Sequence, residues 1–215
     1  MVQRVARTGE STSLRDSLWF ILSTSAPVVL LTIFMVVHIQ HWRATGHLNG
    51  LGLAAQEGVL IVLFLLRRRS RESLNTPSAW AAALIGSYGI LLVRPGGYIL
   101  GGSETPFIMI QAVGALLSVI AVIYLGRSFG IVAANRGVKT DGAYRIVRHP
   151  IYATYIVGLL GYLPASLSLW NILVIAVTWF FQIRRIYAEE SVLMRDPEYR
   201  AYAQRVRYRL IPFVW

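Results

Sequence analysis

Hydrophobic positions in this chain fall in long blocks. Ser17–Val37 holds 21 residues and no charge, and Thr105–Gly126 holds 22 and no charge. Each block is long enough to cross about 30 Å of hydrocarbon as an α-helix. Six such segments are predicted: Leu18–Ile39, Leu51–Leu66, Ser78–Val93, Phe107–Leu125, Ile151–Leu163 and Leu169–Ile183. The last two belong to one uncharged stretch, Pro150–Ile183, interrupted by Pro164. Proline removes a backbone donor and breaks or kinks a helix, and Ser166, Ser168 and Asn171 suit a turn. A helix–turn–helix hairpin is expected there, with short arms of about 20 Å at 1.5 Å per residue. The expected fold is all-α: one polytopic integral membrane bundle of five to six transmembrane segments. It ends in this hairpin and a cytosolic amphipathic helix.

Composition agrees. Only 14% of residues are charged, against about 25% in soluble domains. The first block is too long for the apolar region of a signal peptide, and no small-residue cleavage pattern follows it. The absence of cysteine excludes disulfides, thiolate nucleophiles and Cys-based metal sites.

The net charge of +11 reads as topology, with no call for nucleic acid. With the N-terminus inside, the inner segments hold nineteen Lys and Arg, and the outer segments hold two, Arg43 and Arg94. Both termini are then cytoplasmic. Twenty arginines against one lysine hint at a GC-rich bacterial genome, and so at a bacterial inner membrane.

Four features gather on the inner side. The loop Arg127–His149 is rich in glycine and leads to Pro150, which suits the first position of a helix. Free N–H groups there, with Arg148 and His149, favour an anion; an ordinary capped helix with interfacial arginines would look the same. "RRIYAEES" places Arg185 and Glu189 at i, i+4, and Glu189–Glu190 is an acidic pair that either binds a cation or neutralises local arginines. "RDPEYRAYAQR" has Asp196 as N-cap, Pro197 as first helical residue, Tyr199 and Tyr202 on one face, and Arg205 after them. Such a helix lies on headgroups or covers a site. Tyr152, Tyr155 and Tyr162 are interfacial aromatics by the plainest reading. A ligand with anionic and cationic ends suits this face; S-adenosylmethionine is one.

These motifs resemble the isoprenylcysteine carboxyl methyltransferase family and its relatives, the membrane phospholipid N-methyltransferases. "TDGAYRIVRHPIYATY", "RIYAEESVL" and "EYRAYAQRVRYRLIPF" are similar to that family's three ordered motifs, spanning about Gly126–Phe213. The resemblance implies variable N-terminal transmembrane helices over 1–104 and a methyltransferase core over 105–215. It implies S-adenosylmethionine as cofactor, held by Arg148, His149, Tyr152, Glu189, Glu190, Tyr199, Tyr202 and Arg205. Arg185 and Glu189 are implied as the catalytic residues. A lipophilic acceptor, carboxylate or amine, would enter sideways from the lipid bilayer. Ala143 stands where the family has proline, and Thr154 where it has glycine.

Other readings stay open on the residues. Membrane sterol-type reductases share an ending of this kind and use a nicotinamide cofactor. A scaffold or permease would give a role to Glu57, which lies inside the second segment or near the outer headgroups. His38, His41 and His47 are expected to be interfacial, with no metal.

Overall fold

The computed structural model describes residues 14–45, 48–68, 72–74, 76–94, 97–130 and 132–215. Arg4, Arg7, Arg69, Arg71 and His47, which entered the charge count and the histidine argument, lie outside them. The helices among the described residues are α1 (Leu14–Thr45), α2 (Leu48–Leu66), α3 (Pro77–Tyr88), α4 (Thr105–Leu125), α5 (Pro150–Ala165), α6 (Leu169–Leu193) and α7 (Pro197–Arg205). Two short strands, β1 (Glu72–Ser73) and β2 (Ala134–Asn135), pair antiparallel and tie the α2–α3 loop to the α4–α5 loop.

Three helical stretches are long and apolar enough to cross a membrane: Phe20–Ala44, Thr105–Ser128 and Leu169–Leu193. Glu57–Leu66, Pro77–Leu92 and Pro150–Ala165 are apolar but shorter. Large apolar side chains such as Leu22, Leu116, Ile123 and Phe180 point outward. That surface belongs to an integral membrane protein, since water would not tolerate so continuous an apolar shell.

The hairpin forms, but its arms diverge. Pro164 sits in the last turn of α5 and does not stop the helix before Ala165. α5 packs along α4, α6 packs along α3, and α1 packs along α2. Glycine decides these pairings. A Cβ on Gly114 of α4 would stand 2.7 Å from the Gly158 nitrogen of α5, and a Cβ on Gly161 would stand 2.5 Å from the Phe107 carbonyl oxygen. Backbones approach this closely only where side chains are absent. On the other side, Gly86 and Gly89 of α3 leave room for Gln182 and Thr178 of α6.

The turn between the arms is locked by Asn171, which is fully buried. Its side-chain amide donates to the carbonyls of Ser166 (2.7 Å) and Arg94 (2.9 Å) and accepts from the Arg94 N–H (2.9 Å). Ser168 caps α6 by accepting from the Asn171 N–H. α7 starts as its sequence predicts: Asp196 accepts from the Glu198 N–H at 3.0 Å, and Pro197 occupies the first turn. Tyr199 and Tyr202 turn inward together and pack with Tyr144.

Candidate active site

α6 carries a stripe of polar side chains through an apolar helix. Thr178, Gln182, Arg185 and Glu189 recur at intervals of three or four residues, so they share one face. That face borders a cavity of about 710 Å³ between the diverging arms, within the roughly 300–1,000 Å³ usual for small-molecule sites. One end of the cavity is polar, lined by Arg136, Tyr152, Arg185, Glu189 and Tyr199. The side formed by α1 and α2 is mostly apolar, lined by Leu30, Leu31, Phe34, Leu60 and Phe64, with the His38–Glu57 pair beside them.

The acidic pair divides its work. Glu190 is 5% exposed and does not border the cavity. Arg148 Nε stands 3.0 Å from it as an ion pair without hydrogen-bond alignment, His149 Nε2 hydrogen-bonds with it at 3.2 Å, and Arg209 Nε donates to it at 2.8 Å. With three partners from two other segments, it has no room for a ligand's cation. It fastens α6 to the loop before α5 and to the chain beyond α7. Backbone bonds reinforce that junction: the Arg148 and His149 N–H groups donate to the Tyr208 and Arg209 carbonyls, each at 2.9 Å.

Glu189 borders the cavity. Its Oε1 accepts from the Tyr152 hydroxyl at 2.5 Å and from Arg185 Nε at 3.2 Å. Its Oε2 stands 3.7 Å from His149 Nδ1, leaving lone pairs directed elsewhere. Arg185 is held by Ser87 Oγ (2.7 Å) and the Gly130 carbonyl (3.1 Å) as well, and its guanidinium lies 5.4 Å from the Tyr152 ring centre. One N–H on each terminal nitrogen stays free for an anion. Gly130 is squeezed between two cations, since a Cβ there would meet the Arg136 guanidinium at 2.5 Å.

The loop groups show what burial does. Arg136 loses affinity for its proton, down to about 10, first because it is desolvated and next because Arg67 is near. Its Nε finds no partner. The Tyr144, Tyr199 and Tyr202 hydroxyls are all pushed up, chiefly by burial. Tyr202 donates to the Tyr144 carbonyl at 2.7 Å, whereas the Tyr199 hydroxyl borders the cavity with no partner. Gly142 needs its φ of +59°, and a Cβ there would strike the Tyr124 ring.

The structure therefore assembles Arg148, His149, Tyr152, Arg185, Glu189, Glu190, Tyr199 and Tyr202 around one end of the molecule. Arg205 is exposed and stays outside the cluster. Thr154, at the position of the family's glycine, satisfies its hydroxyl on the Ile151 carbonyl at 2.7 Å. Glu57 stands midway along α2 and pairs with His38 at 3.0 Å. Sequence reasoning missed Arg136, Thr178 and Gln182. For the last two the signal was present, as polar residues in step with Arg185 and Glu189. The Gln182 side chain is 2% exposed and Thr178 is 6% exposed, and neither side chain finds a hydrogen-bond partner. Each such group costs about 1–3 kcal/mol unless something else satisfies it.

Residues 107–195 match the family model of the isoprenylcysteine carboxyl methyltransferases. This is under half of the chain, but it runs from the first turn of α4 to just past α6 and so includes the divergent hairpin and the Arg185–Glu189 stripe. The resemblance read from the sequence holds over that stretch, which is that of a membrane methyltransferase family. The match stops before α7. No curated protein matches the chain.

Proposed function

We propose that the chain transfers a methyl group from S-adenosylmethionine, bound at the arginine-rich cytosolic end, to a carboxylate or amine on a lipophilic acceptor. One observation carries this reading: a single cavity joins the polar Arg185–Glu189 cluster to an apolar chamber within the helices. A water-soluble donor and a lipid-soluble acceptor need such a two-ended space.

The polar end fits the donor's chemistry. Tyr199 and Arg136 offer buried donors with no protein partner, suited to a carboxylate or to ribose and adenine acceptors. Glu189 offers an anion to an ammonium or sulfonium, and the Tyr152 ring lies against Arg185 beside it. In this reading Arg148, His149, Tyr152, Glu189, Tyr199 and Tyr202 form the cofactor's surroundings. Glu190 supports them from behind, and Arg205 takes no part.

When bound, the sulfonium supplies an activated methyl group, so the protein's task is proximity and alignment. Arg185 anchors a carboxylate acceptor through its two free N–H groups. An amine acceptor must lose a proton, and Glu189 Oε2 is placed to receive it. The α3–α6 and α4–α5 walls keep water from the reacting atoms.

Titration calorimetry of the purified protein tests the reading. S-adenosylmethionine should bind saturably, and Glu189→Gln should weaken binding about 10–100-fold in protein that still elutes as a folded species. Absence of saturable binding by folded protein refutes it. Saturable NADPH binding in its place would point to a reductase.

A further inference from the structure

Gln182 and Thr178 form a polar cluster that the transfer chemistry does not use. Both face the cavity below the Arg185–Glu189 cluster. Gln182 is 2% exposed, and neither its amide nitrogen nor its amide oxygen has a partner; the Thr178 hydroxyl is likewise unpaired. Both are crowded from one side by α3, where a Cβ on Gly86 would meet Gln182 Oε1 at 2.6 Å and one on Gly89 would meet Thr178 Oγ1 at 2.5 Å. The glycines create the room these polar side chains occupy, and the open side is the cavity.

We propose that Gln182 and Thr178 form a second binding subsite, which reads a neutral hydrogen-bonding group in the body of the lipophilic acceptor. The inference rests on the methyl-transfer reading for its orientation. Neutrality follows from the surroundings. Gln182 and Thr178 bring no charge of their own to offset one on a ligand lying against them. The pair can both donate and accept, so an amide, ester, ketone or hydroxyl satisfies it and an alkyl chain does not. Spacing gives the position. Gln182 lies three residues before Arg185 and Thr178 seven residues before it, or about 4.5 Å and 10 Å along the helix. The acceptor accordingly carries its neutral polar group about 5–10 Å behind the atom that is methylated. A site built to hydrogen-bond such a group rejects an analogue that lacks it by far more than a hydrophobic slot rejects a missing methylene.

Two probe pairs test this on the full chain in detergent, with titration calorimetry as readout. N-palmitoyl-4-aminobutanoic acid, whose amide lies about 6 Å behind the carboxylate, is compared with a straight-chain fatty acid of equal length, and N-palmitoyl-1,4-diaminobutane with the matching alkylamine. Wild type should prefer the amide-bearing member of at least one pair by tenfold or more. Gln182→Met should abolish that preference, and Thr178→Val should reduce it. Gln182→Met should also raise the melting temperature of the unliganded protein, because it removes an unpaired buried amide. Equal affinity within both pairs overturns the proposal, as does a preference that survives Gln182→Met. S-adenosylmethionine affinity should be the same in wild type and both variants. If wild type binds no S-adenosylmethionine, the methyl-transfer reading fails, while the amide preference is still decided by the probe pairs.

Discussion

Replacing Glu190 by glutamine separates holding the site together from binding in it. The residue is 5% exposed, and its carboxylate meets two arginines and a histidine, Arg148 and His149 at Oε1 and Arg209 at Oε2. Glutamine keeps the volume and one accepting oxygen, so Arg148 and His149 retain a partner. Its amide nitrogen would face Arg209 Nε, donor against donor. The charges of the two arginines then lose their shared anion. Removing one partner from a buried ion pair costs about 3–5 kcal/mol. Arg209 is the most exposed of the three side chains, at 27%, and its share is the most screened. We therefore expect the lower part of that range, about 3 kcal/mol. At roughly 2–4 °C per kcal/mol for a chain of this size, the melting temperature should fall by about 6–12 °C. Thermal melts followed by size-exclusion chromatography read this directly. Hydrogen exchange should quicken at the Arg148 and His149 amides, whose bonds to Tyr208 and Arg209 depend on the same junction. A variant that melts like wild type but has lost S-adenosylmethionine binding would refute the reasoning. Glu190 would then touch the ligand, and the assignment of the cavity-facing role to Glu189 would be wrong.

Two further outcomes follow from the packing and the loop. Gly114→Val should lower the melting temperature, because its Cβ would stand 2.7 Å from the Gly158 nitrogen and 2.9 Å from its Cα, both immovable backbone; overpacking of this kind costs about 1–3 kcal/mol, and an unchanged melt would show that α4 and α5 do not cross there. Alkaline pH should destabilise the fold through Tyr144, Tyr199 and Tyr202, all raised by burial. A raised native pKa means the folded state holds the proton more tightly, so this contribution is complete below the ordinary value of about 10 and is lost as pH climbs through it. Ionisation of all eleven tyrosines near pH 10 with helicity intact would contradict that.

Local rules carried the sequence reading where the physics is local. Asp196 and Pro197 start α7 because a carboxylate and a missing N–H suit those two positions in any helix. Arg185 meets Glu189 because i, i+4 neighbours face each other. The start of α5 meets the end of α6 through His149 and Glu190, which the motifs had placed together. The division between Glu189 and Glu190 was not legible. Adjacent helical residues point about 100° apart, and the sequence does not say which direction is the cavity until Thr178 and Gln182 are seen to continue the stripe of Arg185 and Glu189. The divergence of the hairpin was hidden for another reason. The two arms of the hairpin were expected to pair with each other, but the Gly114–Gly158 contact seats α5 on α4 and the Gly86–Gln182 contact seats α6 on α3.

The contacts of α1 and α2 bear on how such a protein diversifies. These helices pack mainly on each other, touch the rest of the bundle chiefly along α4, and lie outside the matched residues 107–195. Yet Leu30, Leu31, Phe34, Leu60 and Phe64 make up part of the chamber wall. In the proposed reading, the mould for an acceptor's greasy tail is thus a detachable panel, bolted to a chassis that holds the reactive groups. Drift in that panel can recut the tail's outline while every ion pair around Glu189 and Glu190 stays in register.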